Sequence, residues 1–270
     1  MNVYPQVAYV DAYADDNEVN QNHPDYPKVY LDEKPYAYSI HATFNIESTG
    51  NFRIMGKAAK IINFAKIRIT DPDDEVTVTN PIKFFNFTKV GTYTVEYAIY
   101  DFVTTLPANT FYDVSRVTYV QVDTLNAGER VINKIGGGFI ANCSSLTGAL
   151  FGDAYPETRV FTDDSDNLID YTTDDVIIGD HITSCGALLN QCTKVKNVYI
   201  GNSCTTTGNL FRGASSDIKT VVYFGKKLYY SSRPGNVFSY SNKVLKCIIH
   251  PENEHYLWDD TVNCVILKTD

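Results

Sequence analysis

The sequence predicts a mainly β protein: a two-sheet β-sandwich followed by a short repeat solenoid. Three observations carry this expectation. Residues 36–122 hold five or six runs in which apolar and polar residues alternate with period two, the pattern of half-buried strands. Residues 126–270 repeat a short word four times. The composition, 44% hydrophobic and 20% charged, is that of a chain with a packed core, and 270 residues suit one or two domains.

Residues 1–30 form the first unit. They carry five acids and one base, five tyrosines (Tyr4, Tyr9, Tyr13, Tyr26 and Tyr30) and three prolines, with no period of 2 or 3.6. The expectation is an extended N-terminal arm. Its tyrosines are half-apolar anchors of the kind enriched at interfaces, so the arm is read as an attachment segment that orders against a partner.

Residues 31–125 are read as the sandwich. Tyr36, Tyr38, Ile40, Ala42, Phe44 and Ile46 alternate with small or polar residues. Residues 64–70 and 75–79 repeat the pattern around the turn Asp71-Pro72-Asp73-Asp74. Residues 90–101 put Tyr93, Val95, Tyr97 and Ile99 on one face, and 117–122 close the unit. One short stretch, 56–64, looks helical. The run Gly91-Thr92-Tyr93-Thr94-Val95-Glu96-Tyr97, followed by Asp101, resembles the immunoglobulin-like modules of bacteria and phages. The resemblance covers about 90 residues and implies an immunoglobulin-like fold.

Residues 126–270 are read as the solenoid. The recurring words are Gly148-Ala149-Leu150-Phe151, Gly186-Ala187-Leu188-Leu189, Gly208-Asn209-Leu210-Phe211 and Gly235-Asn236-Val237-Phe238. Six residues beyond each glycine sits a small residue: Ala154, Cys192, Ala214 and Ser241. After each word comes a β-rich stretch, at 159–161, 197–200, 220–224 and 247–249. One such unit cannot bury its apolar side alone, so units stack and share a core. The 38-residue spacing between the first two words exceeds one unit, and residues 162–175 are read as an insertion or irregular turn.

Residues 186–200, Gly-Ala-Leu-Leu-Asn-Gln-Cys-Thr-Lys-Val-Lys-Asn-Val-Tyr-Ile, resemble a repeat of the BspA-like leucine-rich repeat family, and Ile249-His250-Pro251-Glu252-Asn253-Glu254-His255-Tyr256 resembles that family's closing segment. The resemblance spans roughly residues 130–270 and implies a divergent, short leucine-rich-repeat domain. Ile-Gly, at Ile178-Gly179 and Ile200-Gly201, stands where the family usually has Ile-Pro.

The chemistry is sparse. No nucleophile elbow, Walker loop, His-Glu-x-x-His or dinucleotide fingerprint occurs, so no catalytic residue, cofactor or metal is expected. Gly136-Gly137-Gly138 reads as a turn between domains. His250 and His255 flank two glutamates, but Pro251 breaks their spacing. The acidic stretch 163–170 departs from a calcium loop at Leu168 and Ile169, and reads as solvated. The six cysteines (Cys143, Cys185, Cys192, Cys204, Cys247 and Cys264) show no Cys-x-x-Cys pair and are read as free, buried thiols.

The net charge of −9 argues against nucleic-acid binding, and no run of 18 apolar residues or secretory leader is visible. The functional expectation is a non-enzymatic structural or recognition protein of an assembled particle, such as a phage capsid decoration or head fibre at the virion surface. It would dock by its arm and bind protein partners, as a homo-oligomer, or a surface glycan. The candidate ligand contacts are Tyr199, Tyr223, Tyr229, Tyr230, Tyr240 and Trp258, each of which has a buried stacking role as its alternative. The competing functional reading is a bacterial cell-surface adhesin, which the repeat family implies. A glycan hydrolase is a third, for which no carboxylate pair can be nominated.

Overall fold

Strand β1 (Tyr36–Ile46) shows the alternation directly: Ile40, Ala42, Phe44 and Ile46 are buried, whereas His41, Thr43 and Asn45 reach solvent. The structure is a computed structural model, and it describes residues 36–101, 103–123, 125–126, 130–152, 174–179, 181–201, 203–207, 220–223, 246–249, 256–259 and 264–267. The arm, residues 162–173 and the words at 208 and 235 lie outside the described residues.

After β1 come β2 (Gly50–Arg53), a 3-10 turn at Ile61–Asn63 within the stretch expected to be helical, β3 (Phe64–Thr70), β4 (Val76–Thr79), β5 (Phe84–Phe87) and β6 (Gly91–Tyr100). Lys89 fixes the turn between β3 and β4, its amine lying 2.7 Å from Asp73 and 3.2 Å from Glu75 and bonding Asp71 as well. That bond holds the Asp71 carboxyl below its ordinary range. Then follow β7 (Thr105–Leu106), β8 (Val117–Val122), β9 (Leu125–Asn126), β10 (Arg130–Val131), β11 (Lys134–Ile135), β12 (Gly148–Phe151), β13 (Asp175–Ile178), β14 (Ser184–Cys185), β15 (Asn197–Ile200), β16 (Thr206–Thr207), β17 (Thr220–Tyr223), β18 (Lys246–Ile249), β19 (Tyr256–Asp259) and β20 (Cys264–Leu267).

The fold is mainly β and is dominated by one mixed sheet of ten strands, in the order β18-β17-β15-β13-β12-β8-β1-β6-β3-β4. From β8 to β4 neighbours run antiparallel; from β8 to β18 they run parallel. Strand β8 therefore belongs to both regimes, and the sheet crosses residue 125 without a break. One row of inward positions runs Ile69–Val95–Ala42–Val120–Ala149–Val176–Val198–Val221, and every member is buried. Strands about 4.8 Å apart hold equivalent side chains in contact, which is why aliphatic or small residues recur along the row.

A second layer of two-residue parallel strands, β16-β14-β11-β7, lies in register with the turns that precede the long strands. Turns stack on turns: Phe111 N–H donates to the Phe139 carbonyl at 2.7 Å, and Asn142 N–H to the Asn190 carbonyl at 2.6 Å. An aromatic column, Tyr97–Phe111–Phe139–Phe151, crosses from the antiparallel to the parallel half with ring centroids 5.3, 5.5 and 5.7 Å apart.

The repeat has a different phase from the one expected. Gly148–Phe151 is itself a strand, whereas Gly186–Leu189 lies in the turn before β15, so these two words are not equivalent. The structural partner of Gly186 is Gly137: a Cβ on Gly186 would strike the Gly137 backbone. The glycine run 136–138 is thus a turn inside the stack. Six residues after Gly137 and Gly186 stand Cys143 and Cys192, and three further on stand Leu146 and Val195, all buried. The same columns continue backward to Val114 and Val117. The stacking therefore begins at β7, before residue 126.

Candidate functional site

The face of the ten-stranded sheet opposite the core row carries the side chains that alternate with it. Its central row reads Val78–Arg68–Glu96–His41–Gln121–Leu150–Ile177–Tyr199, one residue from each of eight neighbouring strands. Alternation places these residues opposite the core row, so their chemistry sets what the face can bind.

In the antiparallel half the row is charged. Arg68 Nη1 donates to Glu96 Oε2 at 3.1 Å. His41 Nδ1 lies 3.4 Å from Glu96, and His41 Nε2 lies 3.2 Å from Asp123. The two carboxylates approach opposite nitrogens of the ring, so they share no point at which a metal could sit. Among the described residues no cluster of His, Cys, Asp and Glu could hold a metal ion. Sequence reasoning passed over this network. Its signal was the polar set of β1 and β6, His41 and Glu96, placed directly opposite each other by the alternation.

In the parallel half the row turns apolar. Leu150, Ile177 and Tyr199 are buried although they lie outside the central core, and Tyr199 is only 5% exposed. Of the six ligand-contact candidates, Tyr199 thus takes the buried alternative. Burial, with Asp175 nearby, pushes its phenol up to about 12. Asp175 is itself buried and accepts a hydrogen bond from Asn197 Nδ2 at 2.8 Å, joining β13 to β15. Tyr223 stands in register with Ile200 and Ile249, in the row that contains Phe151 and Ile178. Trp258 pairs with Val265 in the β19–β20 hairpin. Tyr229, Tyr230 and Tyr240, the arm residues Tyr4, Tyr9, Tyr13, Tyr26 and Tyr30, His250 and His255 lie outside the described residues.

Cys143, Cys185, Cys192 and Cys204 are buried thiols in no disulfide. Cys143 Sγ donates to the Phe111 carbonyl and Cys192 Sγ to the Ile140 carbonyl, each at 3.0 Å, so both thiols tie one turn to its neighbour. Cys185 and Cys204 sit with their sulfurs 3.8 Å apart. Burial raises Cys143 well above a normal thiol and Cys192 to about 12; the Cys204 thiol and burial do the same to Cys185. A thiol held protonated is a poor nucleophile. No family model, no curated protein and no solved structure matches the chain.

Proposed function

We propose that the protein is a non-enzymatic structural and recognition component of an assembled particle, a decoration or fibre protein at a phage virion surface. The arm 1–30 attaches it, and the sheet is its display scaffold. The observation that carries this reading is the unbroken core row from β3 to β17, which makes the antiparallel half an abutment for the parallel stack. A scaffold of that kind holds its outward face rigidly at a fixed distance from an attachment point. We read the antiparallel half as an immunoglobulin-like sandwich and the parallel half as a divergent leucine-rich-repeat solenoid. Supporting this are the Tyr93–Tyr97 strand in the first half and the repeated turn columns in the second. Stacked units present equivalent side chains in rows, suited to extended or repetitive ligands such as a glycan or a protein lattice.

The test is gradient sedimentation of lysates from the cells in which the particle assembles, with the full chain and with a chain lacking residues 1–28. The full chain is expected in the particle fraction and the shortened chain at the top of the gradient, with unchanged far-UV circular dichroism. Equal co-sedimentation of both chains, or absence of the full chain from particles, overturns the reading.

A further inference from the structure

Six large apolar side chains are exposed among the described residues, and three of them, Val76, Val78 and Val90, lie on β4 or beside the turn that leads into it. Val76 and Val78, on β4 itself, are 57% and 55% exposed. Val90 adjoins Lys89, whose amine spans Asp71, Asp73 and Glu75 just before β4. At the other end of β4 the Lys66 amine donates to Asn80, just after the strand.

Strand β4 is the last strand of the sheet and pairs with β3 in an unshifted register. An open edge offers unpaired backbone donors and acceptors to another strand, and proteins commonly blunt it with a lysine, a proline or a bulge. Val76-Thr77-Val78-Thr79 contains none of these, and its residues favour extended pairing. Its ends carry opposite net charge: Asp71, Asp73, Asp74 and Glu75, with Lys89 among them, precede it, while Lys66 reaches Asn80 at the other end.

We propose that β4 is a self-pairing edge, at which two copies of this chain join across a two-fold axis by antiparallel β4–β4 pairing. The geometry favours a second copy over a foreign strand. Antiparallel pairing reverses one strand, so the acidic end of each copy meets the lysine end of the other. That match is isologous, as a two-fold axis requires. Four paired residues bury far less than the roughly 1,200 Å² of a standard interface, so the dimer is weak and concentration-dependent. This deepens the assembly reading and rests on it only for its purpose.

The experiment is sedimentation equilibrium of the full chain from about 1 µM to about 1 mM, a range that spans weak association. The variants are V76K/V78K and V76E/V78E, whose exposed positions leave the core untouched; circular dichroism checks each. Wild type is expected to move from lower to higher mass with concentration. Each variant alone should weaken that step on the order of tenfold or more through like-charge pairs across the axis. An equimolar mixture of the two variants should restore it. A wild type with no mass increase at about 1 mM, or a V76K/V78K variant that associates like wild type, overturns the proposal. A chain lacking residues 1–28 that still dimerises supports self-pairing even where the particle reading fails. A monomeric wild type that enters particles overturns self-pairing alone.

Discussion

At Asp113, Asn142 and Gln191 the backbone is left-handed, with φ of 62°, 59° and 57°. Each stands immediately before a buried column residue, Val114, Cys143 or Cys192, so the same backbone reversal recurs in successive turns. Asp and Asn tolerate this region; Gln does not. Gln191→Asn is expected to stabilise the fold by about 0.5–1 kcal/mol, read by urea denaturation. Asn142→Ala is expected to cost about 1–2 kcal/mol, because it loses both the left-handed tolerance and the bond from Asn142 Nδ2 to Asp113 Oδ1. The buried thiols of Cys143, Cys185 and Cys192 and the phenol of Tyr199 set a pH limit. Each has a raised folded-state value, so the native state keeps its proton where the unfolded chain releases it. Their stabilisation is whole below about pH 8.5 and declines as pH rises toward about 12, the folded value of Cys192 and Tyr199. Thermal melts at pH 7 and pH 10.5 should therefore show a lower melting temperature at pH 10.5; an equal or higher one would contradict the burial. The fourfold word in the sequence hid this detail. Gly148-Ala149-Leu150-Phe151 and Gly186-Ala187-Leu188-Leu189 look alike because strand and turn both want a small residue before an apolar pair.

Two elements seal the stack at its near end. Strand β1 continues the long-strand layer, and the loop around Gly56 covers the first turn, with Gly56 N–H donating to the Thr110 carbonyl at 2.7 Å. A Cβ at Gly56 would fall on the Asn109 carbonyl and the Tyr112 backbone, and one at Gly136 on Leu106 and Ala108. Since rigid backbone surrounds both, Gly56→Ala and Gly136→Ala should each cost more than about 2 kcal/mol. The Phe111 ring joins Tyr97 to Phe139 at the junction, and Phe111→Ala is expected to cost about 3–5 kcal/mol. Chemical denaturation measures all three; a cost under 1 kcal/mol at either glycine would mean the contact is looser than drawn. Strands β1, β3, β4, β6 and β8 were legible in the sequence because each alternates with period two. The turn at 107–114 was not legible, because it holds no glycine where Gly137 and Gly186 mark the turns stacked on it. The inside and outside of β15 were also illegible: Val198, Tyr199 and Ile200 are all buried, so a continuous apolar run gives no sign of which residue faces out.

For the molecule, the shared sheet leads to the expectation that the two halves unfold as one cooperative unit. Far-UV circular dichroism and Trp258 fluorescence should report coincident urea transitions, whereas separable domains would give two midpoints. A fragment of residues 31–125 is expected to unfold well below the full chain, since it strips the Phe139 and Phe151 rings from the aromatic column. Near residue 125 the sequence pattern and the strand direction both change, while the inward row continues across β8. Side-chain alternation and a recurring word report what a strand buries; neither reports whether its neighbour runs with or against it. The strand order therefore has a directional consequence. Gly179 and Gly201, which follow consecutive long strands, are 22 residues apart, and each passes its N–H back to the preceding strand, to the Phe151 and Ile178 carbonyls. Because β1 and the Gly56 loop occupy the near end, an extra unit of that length has room only on the far side of β8. The molecule is thus a ruler with its zero mark fixed: a duplication or deletion would lengthen or shorten its reach by one strand spacing, about 4.8 Å, and leave the anchored end unaltered.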